Sequence, residues 1–255
     1  MLLAINANNT NTKFAVFEGD RIVGEWRMQT VAARTADEYA VWLSQLMALK
    51  GVKPADISHS IIASVVPRAN FNLKLLCTDH FASTPLVIGE ADCKLGFEVL
   101  ADPPGGADRL ANTVGGHLKY PGALIVVDFG TATTFDVKDE DGNYRGGVIA
   151  PGINLSLDAL ASATAMLPRI ALEPTKTVIG TNTLACMQSG VYWGYIGLIE
   201  GIVARIRAEF GRPMRVISTG GLAPIFIGAT SAIEAVEADI TMIGLLEIFR
   251  RNRSK

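Results

Sequence analysis

Two short stretches of this chain carry residue types suited to holding phosphate. "NANNTNTK", Asn6–Lys13, interrupts a hydrophobic run with a polar loop of Asn and Thr. "DFGTATT", Asp128–Thr134, does the same further on. At an offset of 128 − 6 = 122, Asn6 falls on Asp128 and Asn8 on Gly130. A strand–turn–strand with small or amide residues at the turn lets backbone N–H groups and Thr hydroxyls converge on an anion. An acid closing the first strand can hold a hard cation, directly or through water. Two such hairpins facing each other would grip a nucleotide's phosphates from both sides. A third stretch, "STGG", puts Gly220 and Gly221 after an apolar run, as a platform for a purine and its ribose.

The elements that must position these loops repeat as well. Apolar, β-branched runs predict strands over 2–7, 12–18 and 21–28. "TADEYAVWLSQLMALKG" predicts a helix between a Thr/Asp start and Gly51. "HSIIASVV" reads as a buried strand, "NFNLKLLCTDHF" as a short helix, "TPLVIG" as a strand, and "GADRLANTVGGHLKY" as the helix closing the first half. The plan then restarts with the strand "ALIVVDFG" and a hairpin turning at "EDGN". Helices over "INLSLDALASATAM" and Thr183–Phe210, the strand "MRVISTGG" and the helix "DITMIGLLEIFRRN" complete it. The reading is an α/β chain of two halves meeting near residue 120.

Composition narrows the classes. The 255 residues are 49% hydrophobic and 19% charged, with net charge −2, an ordinary globular balance without the basic footprint of a nucleic-acid binder. The tail "RRNRSK" reads as a solvated helix end. No apolar run reaches the ~18 residues that span a bilayer, and "MLLAIN" lacks the basic start of a signal peptide. Cys77, Cys93 and Cys186, and likewise His59, His80 and His117, are scattered rather than metal-spaced. They suggest reduced thiols in a cytoplasmic protein that binds neither membrane nor nucleic acid.

Two hairpins and a late glycine turn resemble the actin, hexokinase and sugar-kinase superfamily. More narrowly, "NTNTKF", "GADRLAN", "DFGTATTF", "GGVIAPGI", "LPRI", "NTLACMQSGVYWGYIGLIEG" and "STGGLA" resemble type III pantothenate kinase, in that family's order. The resemblance implies two actin-like (ribonuclease H-like) lobes, 1–120 and 121–255, with an active cleft between residues 6–13, 106–109 and 128–134. It also implies ATP-dependent phosphorylation of pantothenate, the first step of coenzyme A synthesis, by a homodimer using Mg²⁺ and a monovalent cation, K⁺ or NH₄⁺.

By the same resemblance Asp108 is the general base, and Gly106, Ala107, Asp108, Arg109, Leu100 and Thr183 bind pantothenate. Asn6, Ala7, Asn8, Asn9, Thr10, Asn11, Thr12, Lys13, Thr131, Gly220 and Gly221 bind ATP, and Asp128 holds the monovalent cation. Read from the residues alone, Asp108 is an acid favoured by a helix dipole and Thr183 is a helix N-cap. Met187, Tyr192, Trp193 and Tyr195 read as core and dimer interface.

The chain departs from the family pattern at the first loop. Asn6 and Asn8 stand where Asp and Gly are usual, whereas Asp128 and Gly130 keep both in the second loop. Leu100 replaces a frequent Tyr, and "DPPGGADR" is a residue shorter than usual. Losing the first acid removes a charge that Mg²⁺ prefers, so two readings stand: a kinase impaired at this loop, or a non-catalytic relative that binds nucleotide or pantothenate and acts through protein contacts.

Overall fold

The computed structural model describes residues 1–253; Ser254 and Lys255, the end of the basic tail, lie outside the described residues. The chain divides into two compact units, Met1–Lys119 together with the segment from Ile240 on, and Tyr120–Asp239.

The first unit opens with β1 (Leu2–Ala7), β2 (Asn11–Glu18) and β3 (Arg21–Gln29), an antiparallel meander. α1 (Ala36–Ala48) follows, started by a reciprocal cap in which the Thr35 hydroxyl accepts from the Glu38 N–H and Glu38 accepts from the Thr35 N–H. β4 (His59–Ser64), α2 (Pro67–Leu75), β5 (Pro85–Val87) and α3 (Ala107–Lys119) complete the N-terminal segment. The strand order is β3-β2-β1-β4-β5, with β4 parallel to β1 and β5 parallel to β4. β1 is buried along its whole length, the pattern of a central strand covered on both faces. Leu3, Ile5 and Ala7 point into a core built with Tyr39 and Leu43 of α1 and Leu73 of α2. Leu2, Ala4 and Asn6 therefore take the opposite face.

The second unit repeats this plan with β6 (Leu124–Phe129), β7 (Ala132–Lys138) and β8 (Tyr144–Pro151), then α4 (Ile153–Ser162), α5 (Thr183–Phe210), β9 (Arg215–Gly220), the short α6 (Ala223–Phe226) and β10 (Ala235–Val236). Its order, β10-β9-β6-β7-β8, and its strand directions match those of the first sheet. Met187, Tyr192 and Tyr195 of α5 are buried, the two tyrosines in the core with Phe129 and Phe226, and Trp193 packs against that core.

The last helix, α7 (Ile240–Arg253), corrects the expected domain division. It packs against α3, β1 and β4, and so belongs to the first unit rather than the second. Glycine makes the α3–α7 contact close: a Cβ at position 115 would lie 2.2 Å from the Ile240 carbonyl oxygen, and one at 244 would lie 1.9 Å from that of Ala111. Beside this contact the Thr241 hydroxyl donates to Oδ1 of the fully buried Asn112 at 2.6 Å. Among the described residues no helix is long and apolar enough to cross a membrane.

Candidate active site

In the first unit, the end of β1 turns through residues 8–11 between the paired Ala7 and Thr12. The Asn8 N–H closes the turn on the Asn11 carbonyl at 3.0 Å. Asn9, Thr10 and Asn11 are exposed, whereas Asn6 is 5% exposed and Thr12 fully buried. The Thr12 hydroxyl bonds that of Thr30 at 2.8 Å, and the Lys13 ammonium pairs with Glu25 at 2.9 Å. The side-chain oxygens of Asn6 and Asn8 are buried and meet no hydrogen-bond donor among the described residues. A buried acceptor left so costs about 1–3 kcal/mol.

Asp108 lies at the same end of this sheet. The Val65 N–H, just past β4, donates to the Ala7 carbonyl at 3.0 Å. A Cβ on Gly106 would sit 3.0 Å from Cγ1 of Val65 and 2.7 Å from Oδ1 of Asp108. Ala7, Val65, Gly106 and Asp108 are thus one contiguous set. Asp108 occupies the first turn of α3 and accepts the Arg109 N–H at 2.8 Å. Burial pushes its carboxyl pKa up, more than the Arg109 N–H and guanidinium pull it down. Leu100, on the irregular segment before α3, is 50% exposed.

In the second unit, Asp128 takes the strand position that Asn6 takes in the first. It is opposite Thr134 on β7 and Thr219 on β9, so a carboxylate and two hydroxyl-bearing residues form one row across three strands. The turn that follows is shorter, Gly130–Ala132, and closes through the Gly130 N–H on the Ala132 carbonyl at 3.0 Å. Two glycines press on it. A Cβ at Gly152 would lie 2.1 Å from the Thr131 carbonyl oxygen, and one at Gly220, whose φ is +92°, would lie 2.5 Å from that of Phe129. Thr131 is exposed, and the space around Gly221 is open. Thr183 begins α5 on its exposed surface, but the cap is Asn182, whose Oδ1 accepts from the Ala185 N–H at 2.9 Å. The capping role read for Thr183 belongs to its neighbour.

The two rows differ in what they can hold. The Asp128 row offers only oxygen ligands, the kind a hard cation takes. Residues 6–13 contain no carboxylate, and Mg²⁺ prefers carboxylate oxygens and retained waters, so the first loop does not fit a directly bound Mg²⁺. Among the described residues no group of three or more His, Cys, Asp and Glu is placed to hold a metal. Sequence reasoning missed Val65 and Gly152. Gly152 sat inside a quoted motif, yet only contacts show that it touches the second loop.

Two sheets of one order, each meander followed by two parallel strands, define the duplicated fold of the actin-like sugar kinases. ROK hexokinase from Thermus thermophilus shares that fold, with a TM-score of 0.52 at 12% identity over 97% of each chain. The chain belongs to the type III pantothenate kinase family, whose profile matches residues 2–205. The type III pantothenate kinase of Rhodospirillum rubrum is 59% identical over 255 residues, 99% of both chains. That of Paramagnetospirillum magneticum is 58% identical over 254 residues, 99% of this chain and 98% of its own.

Proposed function

We propose that this chain transfers the γ-phosphoryl group of ATP to the primary hydroxyl of pantothenate, the entry step of coenzyme A synthesis. Asp108 carries the proposal: a carboxylate held at a helix start, partly buried, with its pKa raised toward the working range of a general base. It takes the hydroxyl proton as the new P–O bond forms, while Gly106, Ala107 and Arg109 position pantothenate with Leu100 and Thr183.

Phosphoryl transfer depends mostly on positioning and charge neutralisation. In the first unit the loop Asn6–Lys13 serves ATP, in the second Thr131, Gly220 and Gly221 do so, and Asp128 holds K⁺ or NH₄⁺. Mg²⁺ accompanies the nucleotide. The non-catalytic alternative is not favoured, because the relatives matched over nearly the whole chain are named as kinases. Exposed apolar residues of the second unit, among them Leu155, Met166, Ile179 and Leu184, support a homodimer. Three free cysteines are in keeping with a cytoplasmic enzyme.

The test is formation of 4′-phosphopantothenate from ATP with Mg²⁺ and K⁺ or NH₄⁺, and its loss in Asp108→Ala. Activity that survives Asp108→Ala would remove the base; absence of phosphorylation in the parent chain would remove the reading.

A further inference from the structure

We infer that the first loop holds the nucleotide's phosphates by direct amide hydrogen bonds, so that Asn6 and Asn8 free nucleotide binding in this chain from Mg²⁺. The inference rests on the kinase reading above and concerns how its nucleotide is gripped.

Three observations carry it. First, the oxygens of Asn6 and Asn8 are buried yet meet no donor, so no protein group fixes those ends. Each amide carries two N–H donors on its other end, and no donor among the described residues holds the oxygen end in place. Second, Asn6 is the fifth residue of β1 and Asn8 opens the turn that follows that strand, so both amides lie within one short stretch of the loop. Third, the charges in the row of Asn6 are basic. Lys13 pairs with Asn6 across β1–β2, and Arg27 pairs with Lys13 across β2–β3. Glu25 balances one of these through its 2.9 Å contact with Lys13. The equivalent row of the second sheet runs Ile149, Thr134, Asp128, Thr219 and carries an acid.

One row is therefore built for a cation and its counterpart for an anion. A carboxylate at position 6 would repel bare phosphate and would need a divalent ion between the two. The amide has no charge to repel it and has hydrogens to donate.

Calorimetric titration of the full chain with β,γ-imido-ATP, once with Mg²⁺ and once with a chelator, tests this. The parent chain is expected to show dissociation constants within about threefold of each other, whereas Asn6→Asp weakens about tenfold or more when Mg²⁺ is withdrawn. Asn8→Gly, which removes one donor and no charge, is expected to weaken metal-free binding by about threefold to tenfold. A parent chain that itself loses about tenfold or more on chelation overturns the inference while leaving a nucleotide-binding kinase. That comparison needs neither variant to fold. No binding under either condition overturns the kinase reading, and the inference with it.

Discussion

Gly106 leaves the space that the Asp108 carboxylate occupies. A Cβ at position 106 would stand 2.7 Å from Oδ1 of Asp108, closer than atoms pack. The obstructed atom ends a side chain that can rotate, so the fold tolerates Gly106→Ala while the carboxylate is displaced. Misplacing a reacting group by about 1 Å costs on the order of 10²-fold in rate. Gly106→Ala is therefore expected to lower kcat by about 10–100-fold, with thermal stability and affinity for β,γ-imido-ATP nearly unchanged. A parallel loss of melting temperature would show that position 106 serves the fold instead.

The raised pKa of Asp108 makes two linked predictions. As a base it must be ionised, so kcat/KM is expected to fall on the acid side with a midpoint above the ordinary carboxylate value of about 4. For stability the sign is opposite. Burial favours the protonated carboxyl in the folded state, so this group's contribution to stability declines as pH rises from the unfolded pKa to the folded one. Asp108→Asn is expected to melt higher than the parent at neutral pH and equally near about pH 4. Its turnover should drop by about 10²–10⁴-fold. A neutral-pH melting temperature below the parent's would refute the account of burial.

Gly221 separates a ligand effect from a folding effect. Nothing lies within 4 Å of a Cβ at this position, so Gly221→Ala adds a methyl to open space. The unliganded protein is expected to unfold within about 0.5 kcal/mol of the parent in urea. If the purine and ribose lie against this turn, KM for ATP rises several-fold while KM for pantothenate does not. Unchanged ATP kinetics would move the nucleotide away from Gly221.

What the sequence revealed follows from local physics. The strands came from alternating or continuous apolar runs, and β1 was found to within its end residues because it is buried throughout. The duplication was visible as the 122-residue offset between Asn6 and Asp128, which the two sheet registers reproduce at the fifth position of each central strand. The two-residue β10 was missed, since Ala235–Val236 carries no pattern of its own and pairs with β9 only through tertiary placement. The home of α7 was missed for a similar reason. Its sequence predicts a helix, but its partner is chosen by Gly115 and Gly244, whose lack of side chains matters only once the helices meet. The capping of α5 went to Asn182 because its extended backbone, with φ of −148° and ψ of 167°, aims Oδ1 at the Ala185 N–H.

The α3–α7 contact supports the site from behind. A Cβ at Gly244 would lie 1.9 Å from the Ala111 carbonyl oxygen and 2.7 Å from its carbon, both backbone atoms of α3. Neither can rotate aside, so Gly244→Ala must push the helices apart and move α3, whose first turn carries Asp108. Overpacking of this kind costs about 1–3 kcal/mol, which a lower urea midpoint at unchanged slope would register. The shift should also reach the chemistry, lowering kcat through displacement of Asp108 in the first turn of α3. Thr241→Val offers the control. It removes the hydroxyl that donates to the buried Asn112 at 2.6 Å but leaves the backbone contact intact. It should destabilise by about 1–3 kcal/mol with kcat largely kept. Equal loss of kcat in both variants would mean that general destabilisation, not displacement of Asp108, limits turnover.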